Sequence, residues 1–183
     1  MAFALHSTAG GWLRIPAFPT PDQCVNPQDA VEYIIGRLNA NLSAKLDLIE
    51  QEYDDGIELP DVDNYWRAPQ ERYPGSLNVV VVPAEAAPIN SGDQRQEFTV
   101  LMEMIAAGKQ SKQTGGSTTK TGTELITTRI WRTYRGIYDL LNKNTLSNQV
   151  GYTLVNSATP TELGTDGKTY EQRLEIELTV YTA

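Results

Sequence analysis

The closing stretch of the chain has the most regular alternation in the sequence. It reads Arg173-Leu174-Glu175-Ile176-Glu177-Leu178-Thr179-Val180-Tyr181. Apolar side chains occupy every second position, and charged or polar side chains lie between them. Because successive side chains of a β-strand point to opposite faces, this alternation predicts a strand with one face in the core. The other face, which carries Glu175 and Glu177, is predicted to be solvated or part of an interface.

A partner strand is predicted shortly before this one. Residues 152–157 form a short, largely apolar run, and residues 170–181 form the closing strand. The connection over residues 160–168 contains Gly164 and the turn-forming pair Asp166-Gly167. The end of the chain is therefore predicted to be a β-hairpin.

Two helices are predicted from apolar stripes with a period of three to four residues. Asn26 is a suitable N-cap for the first, Pro27 suits its first position and Asp29 its first turn. This helix is predicted to end near Tyr53. Its stripe consists of Val31, Ile34, Ile35, Leu38, Leu42, Leu46 and Ile49. The stripe of the second helix consists of Ile126, Ile130, Tyr134, Ile137 and Leu141.

Two more strands complete the predicted fold. Residues 77–82 are an apolar run of the kind buried on both faces, and residues 97–105 alternate as a strand with one more buried face. Residues 54–76 are predicted to be an irregular connection whose aromatic side chains dock on the core. The predicted order is α-β-β-α-β-β. We expect an α+β fold in which two helices pack on one face of a mainly antiparallel sheet.

Two segments lie outside this pattern. Residues 1–25 are predicted to be an extended N-terminal arm that precedes a single α+β domain over residues 26–183. Residues 107–123 lack large apolar side chains and are predicted to be a mobile polar loop. Its lysines, Lys109, Lys112 and Lys120, are candidates for meeting acidic groups of an adjacent subunit or of the next ring. The alternative is a dispensable tether.

The composition limits the function classes. The 183 residues include 15 Lys and Arg and 23 Asp and Glu, which gives a formal charge of −8. Such a surface repels nucleic acid overall, so sequence-specific DNA recognition is not expected. The single cysteine, Cys24, cannot form an internal disulfide, which favours a cytoplasmic origin. The sequence contains neither the pattern of a signal peptide nor that of a membrane span.

Patterns that would carry chemistry fail in their details. The segment Thr114-Gly115-Gly116-Ser117-Thr118-Thr119-Lys120-Thr121 has Thr119 where a phosphate-binding loop needs glycine. Around Asp61-Val62-Asp63-Asn64, Trp66 stands where a calcium loop needs glycine. His6 has no neighbour at metal-ligand spacing, and Cys24 has no histidine-rich context. We therefore predict no catalytic, cofactor-binding or metal-binding residue. The sequence leaves open whether two of the many acidic residues meet in the fold as a pair for acid–base catalysis.

Arg129, Arg132 and Arg135 form a basic face on the second predicted helix. One interpretation is a solvated helix face. The other is a docking site for the acidic face of the closing strand, Glu175 and Glu177, on a neighbouring copy. These five residues, with the three loop lysines, are the predicted interface candidates.

The layout of the sequence resembles the tail terminator and tail-completion proteins of long-tailed bacteriophages. Three segments carry the resemblance in the first half of the chain. They are Glu50-Gln51-Glu52-Tyr53-Asp54-Asp55-Gly56-Ile57-Glu58-Leu59-Pro60 at the end of the first helix, Tyr73-Pro74-Gly75-Ser76 and Asn78-Val79-Val80-Val81-Val82. Three more follow, namely Glu97-Phe98-Thr99-Val100-Leu101-Met102, Thr128-Arg129-Ile130-Trp131-Arg132-Thr133-Tyr134 and Arg173-Leu174-Glu175-Ile176-Glu177-Leu178. The likeness covers residues 27–182.

The resemblance implies a structural virion protein and no enzyme. Proteins of this kind form a hexameric ring that caps the tail tube and presents a surface to the neck of the head. The implied partners are further copies of the chain, the tail tube protein and a neck or head-completion protein, and DNA passes through the pore without specific binding. No cofactor, metal or membrane contact comes with the resemblance. The implied localisation is the virion tail or neck, after assembly in the host cytoplasm. Another neck or connector subunit, or a small nucleotide-binding enzyme with a mobile loop, are the alternatives.

Overall fold

The fold has two helices and nine strands within the residues that the computed structural model describes. These are residues 5–8, 11–14, 26–88, 96–109, 113–115, 118–120, 122–143, 152–165 and 169–181. The helices are α1 (Pro27–Tyr53) and α2 (Gly122–Leu141). The strands are β1 (Leu5–Thr8), β2 (Gly11–Arg14), β3 (Asn64–Trp66), β4 (Leu77–Pro88), β5 (Gln96–Lys109), β6 (Gln113–Gly115), β7 (Thr118–Lys120), β8 (Tyr152–Thr165) and β9 (Thr169–Tyr181).

Helix α1 begins and ends where the sequence predicts. The side chain of Asn26 accepts a hydrogen bond of 3.0 Å from the amide of Gln28, which satisfies one of the amides at the start of the helix. At the other end, Asp54 adopts a left-handed conformation with φ of 45°, and its amide donates to the carbonyl of Glu50. The predicted stripe from Val31 to Ile49 is buried throughout. The first helix is thus confirmed at both ends.

A five-stranded sheet forms the other layer, in the order β3-β4-β5-β9-β8. Neighbouring strands are antiparallel except β3 and β4, which are parallel. The sheet is therefore mixed, and the α+β class is confirmed. The predicted order of six elements was incomplete because it lacked β3 and the two short hairpins β1–β2 and β6–β7.

One face of the sheet and both helices enclose a common core. Leu174, Ile176, Leu178 and Val180 are fully buried, as their alternation in β9 predicts. They join one hydrophobic cluster with buried residues of β4, β5, α1 and α2. In β4, Asn78 and Val80 on the opposite face are also buried, at 2% exposure each, which agrees with a strand covered on both sides.

Strand β3 lies in the segment predicted to be an irregular connection. Its backbone pairs with β4 from Asn64 to Trp66. The indole Nε1 of Trp66 donates 3.0 Å to the side-chain oxygen of Asn78, whose own amide nitrogen donates 2.7 Å to the carbonyl of Pro74. Because three residues are too few to show alternation, the parallel pairing leaves no periodic signal in the sequence.

Strands β4 and β8 are longer than predicted, and both continue through a proline. The ladder of β4 with β5 shifts register between Pro83 and Glu85, where the bulge accommodates a residue that lacks an amide donor. Strand β8 is an edge strand that shifts register after Pro160. Residues 160–165 of the predicted connection therefore belong to β8, and residues 166–168 lie outside the described residues.

The two segments outside the predicted core contain secondary structure. Residues 5–14 of the predicted arm include the antiparallel hairpin β1–β2. The predicted loop is shorter than residues 107–123, because residues 107–109 belong to β5 and α2 begins at Gly122. Between them lies the hairpin β6–β7, in which Gln113 is paired with Lys120. Its small and hydroxyl-bearing residues give no apolar signal from which strands are predicted.

Gly36 offers a test of the account of α1. It is exposed in the helix interior, and a Cβ added there meets nothing within 4 Å. Because glycine loses more backbone freedom in a helix than alanine, Gly36→Ala is expected to raise the free energy of unfolding by about 0.5–1 kcal/mol. Urea denaturation followed by circular dichroism measures this. A lower midpoint for the variant would contradict the open surroundings of Gly36.

Candidate assembly surfaces

The basic face of α2 lies against the end of α1. Arg132 donates two hydrogen bonds to the carboxylate of Asp55, of 2.9 and 2.5 Å. The two side chains are only 9% and 24% exposed. The Tyr53 ring lies under the guanidinium, 3.9 Å from ring centroid to Cζ, so a cation–π contact adds to the ion pair. This arrangement joins α2 to the segment that leaves α1.

The other two arginines bind the same region of the chain. Arg135 donates bonds of 3.0 and 2.8 Å to the carboxylate of Glu52, and these bonds raise the pKa of Arg135. Arg129 donates 2.9 Å through Nε to the carbonyl of Glu58. Burial lowers the pKa of Arg129, and the nearby carboxylates of Glu58 and Glu50 oppose that shift.

These contacts give the arginines a role within the chain that neither interpretation of the sequence included. The partners Glu52 and Asp55 are about 80 residues away, at separations of 83 and 77. Contact with Glu175 and Glu177 of a neighbouring copy stays a prediction. Arg132 is the least accessible of the three for such a contact, because both of its terminal nitrogens bind Asp55.

The acidic candidates lie on the sheet face opposite the helices. Glu175 and Glu177 are exposed on β9, as predicted. Leu101 of β5 is paired in register with Glu177 and is 44% exposed. Asn156 of β8 donates 3.2 Å to Glu177 and 2.7 Å to the hydroxyl of Thr179. This part of the sheet presents an open, mixed polar and apolar surface, here called the acidic face.

For two of the three predicted lysines, the structure describes the position of the backbone and not of the side chain. Lys109 ends β5, opposite Thr169, and Lys120 ends β7, opposite Gln113. Lys112 lies outside the described residues. The loop contacts predicted for these three lysines therefore stay predictions.

A row of aromatic rings on α2 was not identified from the sequence. Trp131, Tyr134 and Tyr138 make consecutive ring contacts, with centroid distances of 5.7 and 6.0 Å. Trp131 and Tyr138 are 38% and 39% exposed, although Tyr134 packs partly against the core. The row, here called the aromatic ridge, lies about 150° around the helix from Gly136, where α1 packs. The spacing of three and four residues was the available signal, but Tyr134 alone was assigned to the apolar stripe.

The close contact of the helices explains why the ridge faces away from α1. A Cβ at Gly136 would lie 3.1 Å from Cδ1 of Leu42 and 3.2 Å from Cδ2 of Leu46. The glycine therefore lets the two helices approach closely on this side. Lys45 of α1 also forms a 2.8 Å ion pair with Asp139 of α2. The opposite flank of α2 is thereby left to carry the rings.

Asp63, from the acidic segment that lacks the glycine of a calcium loop, accepts hydrogen bonds from the backbone. Its Oδ2 accepts hydrogen bonds of 2.6 and 2.9 Å from the amides of Ser76 and Leu77. Gly75 beside it has φ of 86°, and a Cβ there would lie 2.3 Å from that oxygen. Only glycine combines this left-handed conformation with the close approach. Asp63 thus fixes the turn that leads into β4.

The described part of the chain also bears on metal binding and on membrane insertion. Among those residues, no three histidine, cysteine, aspartate or glutamate side chains come together to hold a metal ion. Neither α1 nor α2 has the length and apolar character that crossing a bilayer requires. His6 is in β1, and its side chain is not described; Cys24 lies outside the described residues.

The sequence fits no known protein-family profile, and no curated protein matches it. The class of the protein is therefore defined by its fold, which is an α+β structure with two helices on a mixed five-stranded sheet.

Proposed function

We propose that this protein is a structural subunit of a bacteriophage virion that forms a ring, caps the tail tube and joins it to the neck. The observation that carries the proposal is that two unlike surfaces are exposed on the same small domain. They are the aromatic ridge on α2 and the acidic face of the sheet. A closed ring with cyclic symmetry needs two different, complementary patches on each copy, and this chain offers two candidates.

The chemistry of the two surfaces suits binding. Aromatic side chains are enriched in the buried centres of protein interfaces, where they supply much of the binding energy. Exposed carboxylates such as Glu175 and Glu177 contribute orientation and selection against wrong partners. On this proposal the protein acts by covering the end of the tube with a surface that offers no site for a further ring.

The charge of the protein supports passage of DNA through the ring. With a formal charge of −8, the chain has no general attraction for the phosphate backbone. A surface that does not hold DNA lets it slide past during ejection. The proposed partners are therefore other copies of this chain, the tail tube protein and a neck protein. A neighbouring neck subunit is the nearest alternative, because it has the same requirements.

Virus particles assembled without this protein test the proposal. A tube without its terminator continues to polymerise, so electron microscopy is expected to show tails of uncontrolled length that are not joined to heads. Supplying the intact chain restores normal particles. Tails of normal length joined to heads in its absence would contradict the proposal.

Trp131→Gln tests the aromatic ridge. Because Trp131 is partly exposed and lies outside the core cluster, the variant is expected to keep its circular dichroism spectrum. Loss of one central aromatic contact typically costs an interface about 2 kcal/mol or more, so ring formation is expected to weaken at least tenfold in concentration. Light scattering over a dilution series measures this.

Leu48→Gln is the matched control, because Leu48 is an exposed apolar residue on α1, at 59% exposure, away from the ridge. We expect it to assemble as the unmodified chain does. Equal assembly by both variants would remove the ridge from the interface.

A further inference from the structure

The hydroxyl of Thr133 is fully buried in the middle of α2. Thr133 is 0% exposed, and among the described residues no protein atom forms a hydrogen bond with its Oγ1. A threonine inside a helix commonly donates to the carbonyl four residues earlier, as Thr128 does to Glu124 at 2.8 Å. Buried hydroxyl groups are rarely left without a partner, since their desolvation is then uncompensated. The Thr133 hydroxyl therefore calls for a partner outside the part of the chain that the structure describes.

A cavity of about 10 Å³ is lined in part by Thr133. It is bounded by α2, by Leu77 at the start of β4, by Ala106 of β5 and by Pro60. The polar residues that line it are Thr133, Ser76 and Arg129, and the remaining lining is apolar. A space of this size holds about one water molecule and is too small for an organic ligand or a phosphate.

We propose that this cavity is a binding site for one ordered water molecule, with the Thr133 hydroxyl as one of its ligands. An internal water is stable when two to four polar groups hold it, and Ser76 and Arg129 line the same space. A guanidinium contributes only donors, whereas a hydroxyl both donates and accepts, so the set suits a neutral water better than a cation. The water bridges α2 to the turn that Asp63 fixes before β4.

A water at this site links segments of the two layers that are far apart in the sequence. The cavity touches α2, β4, β5 and the connection at Pro60, so one molecule contacts elements from both halves of the chain. The inference concerns the folded chain alone and is independent of the proposed role in a virion.

Thr133→Val tests the site because valine has nearly the same shape but no hydroxyl. If the hydroxyl binds a water, its removal loses a hydrogen bond, and the equilibrium constant of unfolding is expected to rise about fivefold. If the hydroxyl has no partner, valine removes a desolvation penalty and the variant is as stable as the unmodified chain or more stable. The first case therefore predicts a less stable variant, and the second predicts a variant that is not destabilised.

Thr128→Val is the control on the same helix, since it makes the same exchange away from the cavity. Threonine and valine have similar helix propensities, so the control is expected to change the unfolding constant less than twofold.

A second measurement detects the water directly. Nuclear Overhauser spectra of the unmodified protein are expected to show a long-lived water contact to the methyl group of Thr133, and this contact is absent at Thr128. A destabilised Thr133→Val variant together with that contact supports the site. A variant of equal or higher stability overturns it. A destabilised variant without the water contact overturns it as well, because the lost bond then belonged to a protein group.

Discussion

Ile176→Asp is expected to destabilise the fold strongly. Ile176 is fully buried in the centre of β9, between neighbours that belong to the same core cluster. A carboxylate there has to lose its hydration or take up a proton, and we expect a loss of about 4 kcal/mol in the free energy of unfolding. Because small domains have total stabilities of about 5–15 kcal/mol, this is a large share. Urea denaturation and near-ultraviolet circular dichroism measure the loss.

Glu175→Lys is the matched control one position earlier on the same strand. Its side chain is exposed on the acidic face, so we expect the variant to remain folded but to assemble less well. A folded and assembled Ile176→Asp variant, with an unfolded Glu175→Lys variant, would mean that the two faces of β9 are reversed.

Arg132→Met is the second change with a large expected effect. It removes both hydrogen bonds to Asp55 and leaves a carboxylate that is mostly shielded from solvent. Methionine keeps the unbranched stem of the side chain but not the guanidinium, so the loss reports on the ion pair together with the cation–π contact to the Tyr53 ring. We expect the free energy of unfolding to fall by about 2 kcal/mol, measured by urea denaturation.

Arg135→Met removes a comparable two-bond pair in a different setting. Arg135 and Glu52 are 39% and 59% exposed, so solvent competes with their attraction and little change in stability is expected. Equal losses in the two variants would show that burial does not distinguish the pairs. A loss of stability from Arg135→Met alone would show that Arg135, and not Arg132, joins α2 to the end of α1.

The sequence predicts the elements that repeat a local pattern. Asn26 and Pro27 mark the start of α1, and β9 shows its two faces through strict alternation, because both signals lie within a few neighbouring residues. The α+β class follows from these elements. Strand β3 and the hairpins β1–β2 and β6–β7 were missed, since runs of three or four residues are too short for a period to be recognised.

The contacts of the arginines show what local patterns cannot contain. Their spacing on α2 predicts a common face, but not that this face meets the end of α1. The acidic sequence Glu52-Tyr53-Asp54-Asp55 offered a complementary charge pattern, although several acidic segments did so equally. Which acids and bases meet is decided by the packing of α1 on α2 at Gly136, a tertiary feature that periodicity does not encode.

The aromatic ridge was hidden for a different reason. Tyr134 belongs both to the apolar stripe and to the ridge, and assignment to the core accounted for it fully. Exposure of Trp131 and Tyr138 depends on which flank of α2 is covered by α1 and the sheet. The sequence did contain a signal for the ridge: α2 has more apolar and aromatic positions than one core-facing stripe needs.

The mass of the purified chain in solution tests the central claim, that this protein is a ring-forming assembly subunit, most directly. Multi-angle light scattering after size-exclusion chromatography gives that mass without assumptions about shape. We predict a closed oligomer of about six copies of the 20.3 kDa chain, with a mass that is constant over a range of concentrations. A mass of one chain at every concentration, with stability that responds to an added nucleotide, would contradict the account and favour a small nucleotide-binding enzyme.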